Sequence, residues 1–125
     1  METSLRKDIN SRADIEQLVS SFYRKVLLDP LLKPQFEGLD LEAHLPVMYD
    51  FWSSLLLNEH AYTGNAFEKH LRLHLSEAHF KRWLTLFEET LDQLFAGEKT
   101  ELARQRGNSI AFIFQSKLKG MGRME

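Results

Sequence analysis

Residues 66–80 read AFEKHLRLHLSEAHF and hold three of the chain's five histidines, His70, His74 and His79. His70 and His74 stand four apart, so a helix would put both imidazoles on one face, the spacing that two zinc ligands use. There is no HExxH: Glu68 comes before His70, and Leu71, Arg72 and Leu73 fill the interval. A zinc ion would need a third ligand, and no acidic residue stands at an evident spacing. On spacing alone, surface or capping histidines are the plainer reading, and His79 in particular reads as a surface residue.

Other chemistries fare worse. Glu88 and Glu89 are adjacent, so on a helix their carboxylates point in different directions and cannot share a substrate. No GxSxG elbow is present. The six glycines never gather into a phosphate loop. With no cysteine, thiol catalysis, disulfides and cysteine-held zinc or iron–sulfur sites drop out. What remains is Tyr23, His44, His70 and Trp83, each on or beside the apolar stripe of its own segment. Buried, such groups need partners for their O–H or N–H, as satisfied core residues or as donors into a pocket. Four segments each turning one polar group toward one apolar interior is the more telling observation.

Those segments must come from a single domain, because 125 residues is a one-domain length. The chain is 43% hydrophobic and carries nine Phe, enough for a small core and for walls that suit a flat ligand. A net charge of −2 with scattered basic residues makes no electrostatic case for nucleic acid or an anionic membrane. The N-terminus has no apolar h-region, and the longest aliphatic run is Leu55–Leu57, far short of a bilayer span. A soluble, cytoplasmic protein is expected. Residues 1–10 and 120–125 are expected as loose tails, and since no exposed apolar face is evident, a monomer.

The apolar spacing is helical throughout. Ile15, Leu18, Val19, Phe22, Val26 and Leu27 mark a first helix, with Ser11 and Asp14 as a capping pair and Asp29-Pro30 as the stop. PLLKPQFEGLD then reads as a tight corner. Leu41, Leu45, Met48, Trp52 and Leu55/Leu56 mark the next helix. Because Pro46 is tolerated only in a first turn, that helix is expected to begin near residues 42–44, with irregular geometry about His44. A short helix is expected over Phe67–Leu73. Another opens at Ser76-Glu77, carries Phe80, Trp83, Leu84, Phe87, Leu91, Leu94 and Phe95, and stops at Gly97. The last runs from about Thr100 to Lys119 with Leu102, Ala103, Ile110, Ile113, Phe114 and Leu118 inward. The fold class is all-α, with five or six helices.

Four blocks have a familiar order and spacing: SFYRKV with Tyr23, AHLPVMYDFWSSLLL with His44 and Phe51-Trp52, FEKHL with His70, and RWLTLFEETL with Trp83. Together they resemble the truncated haemoglobins, and within that family group III, over about Ile15 to Phe114. The FWSSLLL pattern, a distal histidine and the lack of a Gly-Gly turn after the first long helix favour group III over groups I and II.

The resemblance implies a truncated globin fold, a two-over-two helical sandwich around haem b. It makes His70 the proximal iron ligand and places Tyr23, His44 and Trp83 on the distal side. Phe36, Met48, Phe51 and Trp52 would contact the haem, as would Leu71, Leu73 and Phe80 on the proximal side, with Lys69, Arg72 and His74 as neighbours of the propionates. Next to Pro46, His44 could point at the ligand, swing out as a gate or ligate iron; a gate is expected. The ligands implied are O2 and also NO, CO or peroxide. Tight O2 binding by two donors, or redox chemistry of NO or peroxide, is implied rather than transport. The alternatives are a haem-dependent NO dioxygenase or peroxidase served by an external reductase, and a helical interaction module with no cofactor.

Overall fold

The computed structural model describes residues 6–38, 40–57 and 76–120. Among them are five helices and no strand: α1 (Arg12–Leu28), α2 (Lys33–Phe36), α3 (Leu41–Leu57), α4 (Glu77–Leu94) and α5 (Glu98–Gly120). The helix expected over Phe67–Leu73 lies outside the described residues.

α1 begins where Ser11, in extended conformation, accepts the Asp14 N–H on its hydroxyl at 3.3 Å. Its stripe of Ile15, Leu18, Val19, Phe22 and Val26 is buried and faces both α3 and α4. Asp29 ends it and shapes the corner, accepting the N–H groups of Leu31 and Leu32, each at 3.1 Å. The four-residue α2, with Pro34 in its first turn, folds Leu32 and Phe36 into the core. α4 packs on α5 as well as on α1, and α5 also touches α3. One cluster, from Ile9 and Ile15 through Phe22, Trp52 and Phe87 to Ala103, runs through these contacts.

Three expectations need correcting. α3 starts at Leu41, capped by Asp40, whose carbonyl accepts the His44 N–H at 2.9 Å. Pro46 therefore sits inside the helix, in its second turn. The ladder bond it removes would have ended on Glu42, an exposed residue whose carbonyl water can satisfy. Ile113 is 47% exposed rather than inward. The buried face of α5 runs Thr100, Ala103, Gly107, Ala111 and Leu118, a stripe of mostly small residues from which Ile113 falls to one side. Residues 6–10 are no loose tail, because Ile9 is buried and the Ala96 N–H bonds the Lys7 carbonyl at 3.0 Å.

The surface is also not free of large apolar groups, since Leu28, Leu31 and Phe112 join Ile113 in solvent. No described helix is long and apolar enough to cross a membrane.

Candidate functional site

α1, α3, α4 and α5 enclose an apolar cavity. Its wall takes in Tyr23, Phe36, Met48, Phe51, Trp52, Phe80 and Trp83, seven residues that the sequence singles out. The heptad-like step from Phe80 to Trp83 to Phe87 places three rings of α4 on it, and Phe22 adds another from α1. Among the described residues, no Asp, Glu, Lys or Arg lines it.

Tyr23 is the chief polar group of that wall. Its hydroxyl lies 2.8 Å from Nε2 of His44, and both side chains are buried. The ring is held edge-on by Phe22 and Phe36, with the imidazole edge-on at 5.2 Å. Burial pushes the phenol's pKa up, so the hydroxyl keeps its proton and stays a donor. Two arrangements of the pair are possible. Either the hydroxyl donates to an unprotonated Nε2, or a protonated Nε2 donates to the hydroxyl oxygen and leaves the O–H for a guest in the cavity. His44 is thus turned to Tyr23, and the expected irregularity around it is absent because its helix begins earlier.

Trp83 is half-buried, and its indole N–H bonds none of the described residues. Ring contacts hold it instead, stacked on Phe87 at 5.4 Å and 13° and edge-on to Phe22 at 5.3 Å and 86°.

His79 departs from the surface role expected of it. It is half-buried and lines the cavity. Its Nδ1 accepts the Ser76 N–H at 2.9 Å and lies 2.8 Å from the Ser76 hydroxyl, closing the first turn of α4 in the manner of a capping box. With Nδ1 an acceptor, the proton of the neutral ring sits on Nε2, so His79 cannot offer Nε2 to a metal without giving up the cap. Its i, i+4 spacing to Trp83 was the signal that it shares the aromatic face.

Six sequence candidates, Lys69, His70, Leu71, Arg72, Leu73 and His74, lie outside the described residues. Among the described ones, no group of three or more His, Asp or Glu could hold a metal ion. Glu88 and Glu89 do diverge: Glu89 accepts from Lys25 of α1 at 2.9 Å and Glu88 from Asn108 of α5 at 3.4 Å. Val19, Phe22, Phe87, Ile110 and Phe114 also line the wall and were legible only as core, while Leu32 and Ala111 line it without having been singled out. Nothing but packing tells an aromatic facing a cavity from one facing a neighbour.

The profile of the bacterial-like globin family matches residues 4–116. The group 3 truncated hemoglobin ctb of Campylobacter jejuni is 33% identical over 115 residues, spanning 86% of this chain and 91% of that protein. The crystal structure of a group III truncated hemoglobin from Campylobacter jejuni is similar with a TM-score of 0.81 at 32% identity, covering 90% of this chain and 94% of that one. A truncated oxygen-avid haemoglobin from Bacillus subtilis shares the fold, with a TM-score of 0.74 at 24% identity over 83% of this chain and 92% of that one.

Proposed function

The chain belongs to the bacterial-like globins, as a group III truncated haemoglobin, and from that premise we propose that it is a haem b protein that holds O2 tightly rather than transporting it. The observation that carries this reading is the buried Tyr23–His44 contact, with Tyr23 in a cavity wall that among the described residues holds no Asp, Glu, Lys or Arg.

The cavity suits a porphyrin in kind. A flat, largely apolar body with its charge at one edge fits aromatic walls whose described residues include no carboxylate, Lys or Arg. When bound, the haem supplies an iron that takes one protein imidazole and leaves a position for a diatomic ligand. His70 is the imidazole in this reading because it stands where the resemblance to the truncated haemoglobins puts the proximal ligand, while Nε2 of His44 faces Tyr23 and Nδ1 of His79 caps α4. Phe36, Met48, Phe51, Trp52 and Phe80 would flank the ring, with Leu71 and Leu73, and Lys69, Arg72 and His74 would stand near its carboxylates.

The chain's own work is done by donors. A diatomic guest that has gathered electron density accepts the Tyr23 O–H and the Trp83 N–H, each worth about 1 kcal/mol net and more to a charged acceptor. Two such bonds slow release by roughly tenfold to a hundredfold, which disfavours transport. The apolar remainder of the wall keeps water from the site. His44 acts as the gate: the donor is withdrawn while the hydroxyl donates to Nε2, and the O–H is free for the guest when Nε2 donates instead or swings away.

Purified protein given haem should develop a Soret band that shifts with CO. His70→Ala should lose axial ligation while His74→Ala keeps it. A chain that shows no Soret band after haem addition refutes the reading, and haem loss in the His74 variant with retention in the His70 variant refutes the ligand assignment.

A further inference from the structure

Gly107 stands in the interior of α5, where glycine is the poorest helix former after proline. Its backbone needs no freedom to be there, since the only described glycine with a positive φ is Gly97. Space is the reason. A Cβ on Gly107 would meet Cε2 and Cδ2 of Phe87 at 2.8 and 2.9 Å, closer than carbon atoms approach. Phe87 is 1% exposed, and the one open side of its ring is the cavity that it lines. Its ring stacks on Trp52 at 5.0 Å and 27°, stacks on Trp83 at 5.4 Å and 13°, and meets Phe22 edge-on at 5.4 Å.

We propose that Gly107 is a positioning residue for the cavity: its missing side chain seats Phe87, and Phe87 in turn sets where the Trp83 indole N–H stands in the wall. A donor anchored by its own hydrogen bond would tolerate a shift in the rings behind it. Trp83 bonds none of the described residues, so among them packing places it: the rings of Phe87 and Phe22, and the cluster of Phe80, Ala111 and Leu118. The consequence for ligand release rests on the haem reading above; the packing claim does not.

The test compares Gly107→Ala, Phe87→Leu and Ala103→Gly. Ala103 is fully buried on the same face of α5, so its variant loses stability without pushing on Phe87. Three quantities are read: the Trp83 indole N–H resonance in the protein as purified, the C–O stretching frequency with haem and CO, and the rate of O2 release. Gly107→Ala should shift the resonance and the stretch and speed release by about threefold to tenfold, the effect of losing one hydrogen bond to the ligand. Phe87→Leu should act in the same direction without any added methyl, and Ala103→Gly should lower the melting temperature alone. The proposal is overturned if Gly107→Ala changes the melting temperature and leaves all three readouts at wild-type values. Should that variant not fold, unchanged readouts in Phe87→Leu overturn it instead. If the wild-type chain takes no haem, the functional reading fails, and the indole resonance by itself still decides the packing claim.

Discussion

Asp8 gives its carboxylate to the N–H groups of Lys99 and Thr100 at 2.8 and 2.9 Å and to the Thr100 hydroxyl at 2.8 Å. Tyr23, deeper in the fold, has the imidazole of His44 as its partner. The same contrast holds more widely. Asp14 takes the Asn10 N–H and the Lys7 ammonium. Asp29 takes two N–H groups of its corner and, at 2.6 Å, the Arg82 Nε. These carboxylates fasten one piece of chain to another, and each is close to saturated with donors. At the cavity the buried Tyr23 phenol keeps its proton, and beside its contact with His44 it has capacity for another. Saturated acceptors build the frame, and a phenol that can still donate is what a binding wall can use.

The sharpest way to break that division is Asp8→Ala. It strands the N–H groups that open α5 and the buried Thr100 hydroxyl, a loss of about 2–4 kcal/mol when capping and unsatisfied-group costs are taken together. Gly97 would keep its purpose, since its φ is +141° and a Cβ there would still lie 2.7 Å from the Asp8 Cβ that alanine retains. Urea unfolding should show the loss, while the folded variant keeps wild-type haem spectra and O2 release. An altered release rate would mean that frame and wall are coupled.

The converse experiment removes the wall's polarity and spares the frame. Tyr23→Phe keeps the ring contacts and leaves the His44 imidazole buried without the hydroxyl, a cost of about 1–2 kcal/mol. O2 release should accelerate about tenfold. His44→Leu should change the rates of ligand association and release, and unchanged rates there would sink the gate role.

Much of the wall could be read in advance because its markers are large and periodic. Phe80, Trp83 and Phe87 repeat at helical spacing, and Tyr23 sits beside Phe22 on the stripe of α1. The face of α5 could not, because it is built from Thr100, Ala103, Gly107 and Ala111, residues whose value lies in their small size. Hydrophobic periodicity is blind to that, and so Ile113 looked like core. Asp8 was missed for another reason: its partners are 91 and 92 positions away, and no local pattern announces a carboxylate that caps a distant helix. Pro46 misled through a sound rule applied too strictly, since one lost ladder bond near an exposed end costs little.

The smallest expected effect, and the one that separates the two regions without moving their packing, is the dependence of stability on pH. Burial alone would raise the carboxyls of Asp8, Asp14 and Asp29, but their hydrogen bonds outweigh it and hold all three below the ordinary value. Groups lowered on folding contribute stability that is complete above the unfolded value of about 4 and is lost as acid carries the pH through the folded values. Tyr23 shifts the other way, raised by burial. Its effect is absent until the unfolded chain begins to ionise near pH 10 or so; above that, unfolding releases a proton and stability falls as pH rises. The acid limb of the profile thus belongs to the frame and the alkaline limb to the wall. In urea titrations across pH, Asp8→Asn should flatten the first and leave the second, and Tyr23→Phe should do the reverse. If either substitution flattens both limbs, the two regions do not behave as separate sets of polar groups.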